Sequence, residues 1–149
     1  MTSAWEQFET LIREEMRKTY SEITIDHAMN PRNVGDMADA DGFAKVTGPC
    51  GDSMEIRLKV NNDTIVGATF MTDGCGTTIA SGSIVTEMAK EKNIIEARKI
   101  SSQDVLNALG GLPEESQHCA LLAANTLKAA IRDYLAMKKE PWKRAYRKY

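Results

Sequence analysis

From Ser53 to Val60 the chain alternates strictly, with Met54, Ile56, Leu58 and Val60 on one face and Glu55, Arg57 and Lys59 on the other. This is the period of a half-buried β-strand. Asn61-Asn62-Asp63 supplies a turn, and Thr64 to Thr72, with Ile65, Val66, Ala68 and Phe70, reads as an antiparallel partner. One cysteine lies just before this hairpin, in Gly48-Pro49-Cys50-Gly51-Asp52, and another just after it, in Asp73-Gly74-Cys75-Gly76. Antiparallel pairing therefore puts both at the same end of the sheet. A third strand is expected over Phe43 to Thr47.

Helices are expected around this hairpin. Trp5, Phe8, Ile12 and Met16 recur at steps of three and four, which predicts an amphipathic helix over Ala4 to Tyr20 with Ser3 as its cap. A helix begun near Ile23 is stopped by Asn30-Pro31-Arg32-Asn33. After Cys75, Thr77 or Thr78 is the expected cap of a helix through Ile79, Ile84, Val85, Met88 and Ala89, whose Ala80, Ser81, Gly82 and Ser83 permit close packing. A short helix over Ser101 to Leu109 ends at Gly110-Gly111. A long one follows from Cys119 to Met137, with Leu121, Ala124, Leu127, Ile131, Tyr134 and Leu135 as its apolar set. The expected division is 1–19 as a helical extension, 20–137 as the domain, and 138–149 as a basic, aromatic and solvated tail.

The 149 residues, 42% hydrophobic and 27% charged, suffice for one core. A net charge of −2 argues against nucleic acid as the main partner. No apolar run reaches the roughly 18 residues of a membrane span, and Met1 to Met16 is charged rather than signal-like, so a cytoplasmic protein without a membrane partner is expected. Three cysteines in such a compartment speak against a disulfide framework.

The third cysteine directly follows a histidine, His118-Cys119, at the expected start of the long helix, where the dipole favours a thiolate. Cys50, Cys75 and Cys119 supply three thiolates, whereas a tetrahedral zinc or a [2Fe-2S] cluster on one chain takes four ligands. The fourth is Asp52 or His118. Five candidates for four positions, one of them a hard carboxylate, suit temporary custody of metal and sulfide better than permanent electron transfer. The competing reading is three cysteines buried for packing, with Asp52 as a turn residue. His27 is expected to be a satisfied, partly buried histidine rather than a ligand, and the scattered methionines to fill the core.

Tyr20-Ser21-Glu22, Asp26-His27, Asn30-Pro31-Arg32-Asn33-Val34-Gly35, Cys50-Gly51-Asp52, Gly74-Cys75-Gly76 and His118-Cys119 together resemble the iron-sulfur cluster assembly scaffolds of the IscU and NifU N-terminal family, over Tyr20 to Leu135. The resemblance implies an α+β, SufE/NifU-like fold: a small antiparallel sheet of about three strands with helices packed on one face and the site exposed at one end. It implies a scaffold rather than an enzyme. Sulfur would arrive as persulfide from a cysteine desulfurase and iron from an iron donor or frataxin-like protein. A transient [2Fe-2S] cluster would be built and passed to apo iron-sulfur acceptor proteins. Cys119 would be the persulfide acceptor, Cys50, Asp52 and Cys75 would hold metal, and His118 would exchange with Asp52 or Cys119. Zinc at the same residues is implied for the metal-free scaffold, as is a monomer or homo-oligomer.

Leu112-Pro113-Glu114-Glu115-Ser116 stands where many relatives carry Leu-Pro-Pro-Val-Lys, which speaks against an Hsp70-type chaperone as a partner. A zinc-dependent sulfur-transfer protein of the SufU kind is the second reading, and His118 before Cys119 counts against it. A zinc hydrolase with Asp52 as base lacks any supporting ligand spacing, and a structural zinc module would leave Asp52 dispensable.

Overall fold

The alternating segment pairs as expected. The computed structural model describes residues 3–146, the side chains of Arg144 and Tyr146 excepted. β1 (Gly42–Thr47), β2 (Ser53–Asn61) and β3 (Thr64–Thr72) form one antiparallel sheet in the order β1-β2-β3. Asn62 and Asp63 both take positive φ, 51° and 60°, so their turn has the twist a tight hairpin requires. Met54, Ile56 and Leu58 are fully buried as the alternation demands. Arg57, expected on the solvated face, is only 6% exposed. Its guanidinium lies 4.7 Å from the Phe43 ring centroid and pairs with Asp36 and Glu55, which makes its burial tolerable.

The helices are α1 (Ala4–Arg17), α2 (Glu22–Met29), α3 (Gly76–Ala89), α4 (Ile94–Arg98), α5 (Ser102–Ala108) and α6 (Gln117–Lys139). α6 packs on β1 and β2 and α3 on β3, so the layout is the expected α+β one. Close approach depends on glycine at two points. A Cβ on Gly82 would lie 2.5 Å from the Phe70 ring, and one on Gly42 would lie 2.6 Å from the Ala130 carbonyl oxygen. α5 carries a capping box between Ser101 and Asp104. The five-residue α4 is too short for periodicity to reveal, although Asn93 caps it.

Three expectations need correction. α3 is capped by the backbone of Cys75, and Thr77 and Thr78 lie inside the helix. Leu121 points outward at 47% exposure, while Leu122 is buried in its place. α6 begins two residues before Cys119, so His118 and Cys119 occupy its first turn. Beyond α6, Pro141–Tyr146 form a 3-10 helix, and the rest of the expected tail, 147–149, lies outside the described residues.

The Asn30-Pro31-Arg32-Asn33 block ties α2 to α3 and the sheet. The Asn33 side chain donates to Thr86 Oγ1 at 3.0 Å and Glu87 Oε1 at 2.9 Å. The Phe70 amide donates to the Asn33 carbonyl at 2.9 Å and the Gly35 amide to the Phe70 carbonyl at 3.0 Å. His27 is buried, with Nδ1 2.6 Å from Ser83 Oγ, and that hydroxyl also accepts the Arg32 amide at 2.9 Å. Burial pushes the His27 pKa below its ordinary value.

Candidate functional site

Hairpin geometry joins the two cysteine segments. The Ser53 amide donates to Asp73 Oδ1 at 2.7 Å and Thr72 Oγ1 donates to the Ser53 carbonyl at 2.6 Å, which fixes the chain entering β2 beside the chain leaving β3. The Gly48 amide donates to the Asp52 carbonyl at 2.8 Å and the Gly51 amide to the Gly48 carbonyl at 3.0 Å, closing a turn that carries Cys50. Gly51 sits at φ +92°, a conformation that side chains rarely adopt. Cys50 is exposed at the tip.

The other thiols meet at the start of α3. Thr77 Oγ1 lies 3.3 Å from Cys75 Sγ and 3.4 Å from Cys119 Sγ, so one hydroxyl touches both sulfur atoms. Thr78 Oγ1 lies 3.3 Å from Cys119 Sγ, and it donates to Asp52 Oδ2 at 3.2 Å. His118 Nε2 lies 3.7 Å from Cys119 Sγ. Cys75 is exposed, whereas Cys119 is only 2% exposed behind the two threonines. An open pocket of about 280 Å³, lined by Met16, Tyr20, Ile25, Ala28 and Gly76, lies against Cys75 and Thr77.

The Cys75 thiol is held below its ordinary pKa, first by the Thr77 hydroxyl and then by the amides of Thr77 and Thr78, against an opposing effect of burial. Its position at a helix N-terminus acts in the same direction. Gly74 makes room for this arrangement, because a Cβ there would lie 2.6 Å from both Cβ and Oγ1 of Thr78.

Cys75, Cys119 and Asp52 are thus gathered around two hydroxyls, with His118 against Cys119. Cys50 shares none of these hydrogen bonds. Among the described residues, no three of the His, Cys, Asp and Glu side chains stand close enough together to hold one metal ion. Three thiols, a carboxylate and an imidazole are a donor set suited to iron or zinc rather than to magnesium or calcium. The residues missed from sequence are Thr77, Thr78 and Gly74. Their signal was the Thr-Thr pair following Gly-Cys-Gly, which served equally well as a helix cap.

Residues 19–141 match the family described as the NifU-like N terminal domain. The iron-sulfur cluster assembly scaffold protein IscU 1 of Archaeoglobus fulgidus is 51% identical over 116 residues, covering 77% of this chain and 76% of that protein. The iron-sulfur cluster assembly scaffold protein IscU of Escherichia coli strain K12 is 47% identical over 120 residues, covering 77% of this chain and 93% of its own length. The N-terminal NifU-like protein from Brucella abortus shares the fold with a TM-score of 0.64 at 18% identity, over 81% of this chain and 97% of that one. The motif blocks from Tyr20 to Cys119 fall inside the matched region, and the chain belongs to the NifU-like N-terminal domain family.

Proposed function

We propose that this protein is a scaffold on which a transient [2Fe-2S] cluster is assembled and from which it is passed to apo-proteins. The observation that carries this is the sharing of the Thr77 and Thr78 hydroxyls among the exposed Cys75, the buried Cys119 and Asp52. The names of the IscU relatives support the scaffold role.

Once the Thr77 and Thr78 hydroxyls that cover it move aside, the Cys119 thiolate attacks the outer sulfur of a persulfide carried by a cysteine desulfurase. A new sulfur-sulfur bond forms on Cys119, the donor's bond breaks, and the donor thiolate leaves. Each transferred sulfur then needs two electrons from an external reductant to become sulfide. Ferrous iron, from an iron donor or frataxin-like protein, enters among Cys50, Asp52, Cys75 and Cys119, with His118 exchanging for Asp52 or Cys119. The threonine hydroxyls yield the sulfur atoms as metal enters, and the turn bearing Cys50 supplies the last thiolate. Zinc fits the same donors in the metal-free protein. The protein is a sulfur acceptor and carrier, not an enzyme, and works in the reducing cytoplasm, where its three thiols stay free.

The test is anaerobic incubation of metal-free protein with ferrous iron, cysteine, a thiol reductant and a cysteine desulfurase, followed by addition of an apo-ferredoxin. Cluster absorption that appears and then moves to the ferredoxin is the expected result. No cluster, together with faster desulfurase turnover only when the protein carries zinc, would replace the scaffold by the zinc-dependent sulfur-transfer reading.

A further inference from the structure

Three buried hydroxyls in α3 and α6 turn back on the backbone of their own helix, as short hydroxyl side chains in helices do. Ser81 Oγ donates to the Thr77 carbonyl at 2.8 Å, Thr86 Oγ1 to the Gly82 carbonyl at 2.7 Å and Thr126 Oγ1 to the Leu122 carbonyl at 2.7 Å. Thr78 behaves differently. It is fully buried in the first turn of α3, yet its hydroxyl faces the site, 3.2 Å from Asp52 Oδ2, 3.3 Å from Cys119 Sγ and 4.0 Å from Cys75 Sγ. The space it fills is kept open by Gly74, where a Cβ would lie 2.6 Å from Thr78 Oγ1.

A hydroxyl has a single proton to give, and Thr78 gives it to Asp52. Thr77 serves other atoms, since its hydroxyl lies between the two sulfur atoms, 3.3 Å from Cys75 Sγ and 3.4 Å from Cys119 Sγ. Asp52 is half-buried, at the end of the turn that carries Cys50. A half-buried carboxylate left without a partner is costly, and a hydrogen bond to a charged group is among the stronger ones. Asp52 therefore rests on the Thr78 hydroxyl when it is not a ligand.

We propose that Thr78 is a positioning residue for release: its buried hydroxyl is the partner that receives Asp52 as this carboxylate lets go of bound metal. The inference rests on the scaffold reading for Asp52 as a ligand, and adds what makes it the ligand that leaves. Loss of the metal–carboxylate bond is offset by the hydrogen bond to Thr78, so the departing carboxylate is not left bare. Without the hydroxyl the released state of Asp52 is higher in free energy, and metal is held longer.

The test follows two cargoes on the full-length protein: assembled cluster passed to an apo-ferredoxin, and zinc alone passed to a chromogenic chelator. Thr78→Val, which keeps the side-chain shape and removes the hydroxyl, should slow both about tenfold, the order expected for one lost hydrogen bond to a charged group. Thr78→Ala should do the same, with circular dichroism confirming that both variants are folded. Thr78→Ser, which restores the hydroxyl, should return both rates to the wild-type value. In an Asp52→Ala background Thr78→Val should change neither rate, because the carboxylate it receives is gone. Release from Thr78→Val that is unchanged or faster for either cargo overturns the inference, as does a Thr78→Ser variant that behaves like Thr78→Val. So does slowing of the same size in the Asp52→Ala background, which would make the effect one of packing. A wild type that builds no cluster but shows the expected zinc pattern ends the scaffold reading and leaves the inference standing. Cluster that assembles and moves equally fast from wild type and Thr78→Val ends the inference and leaves the scaffold, and a wild type that takes up neither cargo ends both.

Discussion

Cys119 and Cys50 stand in opposite kinds of surroundings. Cys119 is buried in the first turn of a 23-residue helix, within reach of two hydroxyls and an imidazole. Cys50 is exposed on the turn between Gly48 and Asp52, which two backbone hydrogen bonds hold. One side of the site is preorganised by packing, and the other owes its shape to backbone conformation alone. On the proposed scaffold reading, this asymmetry would let the fixed side collect the cargo and the loose side open to release it.

The largest expected effect falls on the fixed side. Cys119→Ser should abolish persulfide uptake from a desulfurase, as read by mass spectrometry of the intact protein. Extra sulfur found at undiminished yield on Cys50 or Cys75 would move the acceptor to one of them. Next comes a pair of glycines that separates the two sides. Gly74→Ala drives a methyl group against Thr78 and should cost about 1–3 kcal/mol in thermal or urea unfolding, together with lower cluster yield. Gly51→Ala meets open space but keeps a strained φ, so it should cost only about 1 kcal/mol. Equal losses would remove the distinction between packing and backbone.

The strands were legible in the sequence because period two is short and the Asn-Asn-Asp turn names its own conformation. That Cys50 and Cys75 lie at one end of the sheet was legible for the same reason that the hairpin was: antiparallel pairing cancels the separation between them. What the sequence concealed is who touches the sulfur atoms. Thr77 and Thr78 sit where a helix cap is expected, and only the arrival of Cys119 from α6, 42 residues after Thr77, turns their hydroxyls into sulfur partners. Leu121 and Leu122 are adjacent and equally apolar, so the choice between them depends on where α6 begins, which its sequence marks weakly. Arg57 was hidden by a tertiary contact, the Phe43 ring.

Smaller effects sharpen the comparison through pH. Hydrogen bonds that favour a thiolate lower its pKa, and the Thr77 hydroxyl is the largest such influence on Cys75. Alkylation of Cys75 should therefore reach half its maximal rate below the pH of an ordinary cysteine, and Thr77→Val should move that midpoint upward. An unmoved midpoint would transfer the effect to the backbone amides. His27 titrates in the opposite sense to a stabilising cation, since burial lowers its pKa in the folded state. Its neutral form is favoured by folding, so stability is complete above the ordinary histidine pKa of about 6.5 and declines as pH falls from there toward the depressed folded value. His27→Gln should flatten that decline in urea unfolding. An unchanged slope would assign the acid sensitivity to other groups.

The most direct test of custody followed by release is the rate at which cluster passes from the assembled protein to an apo-ferredoxin, compared between wild type and Asp52→Ala. Asp52 is the carboxylate that Thr78 links to the Cys119 thiol and the hardest donor in the set. Removing it should leave a more persistent cluster and slower transfer. A variant that loses its cluster faster than the wild type would contradict the role of Asp52 as the ligand that lets go.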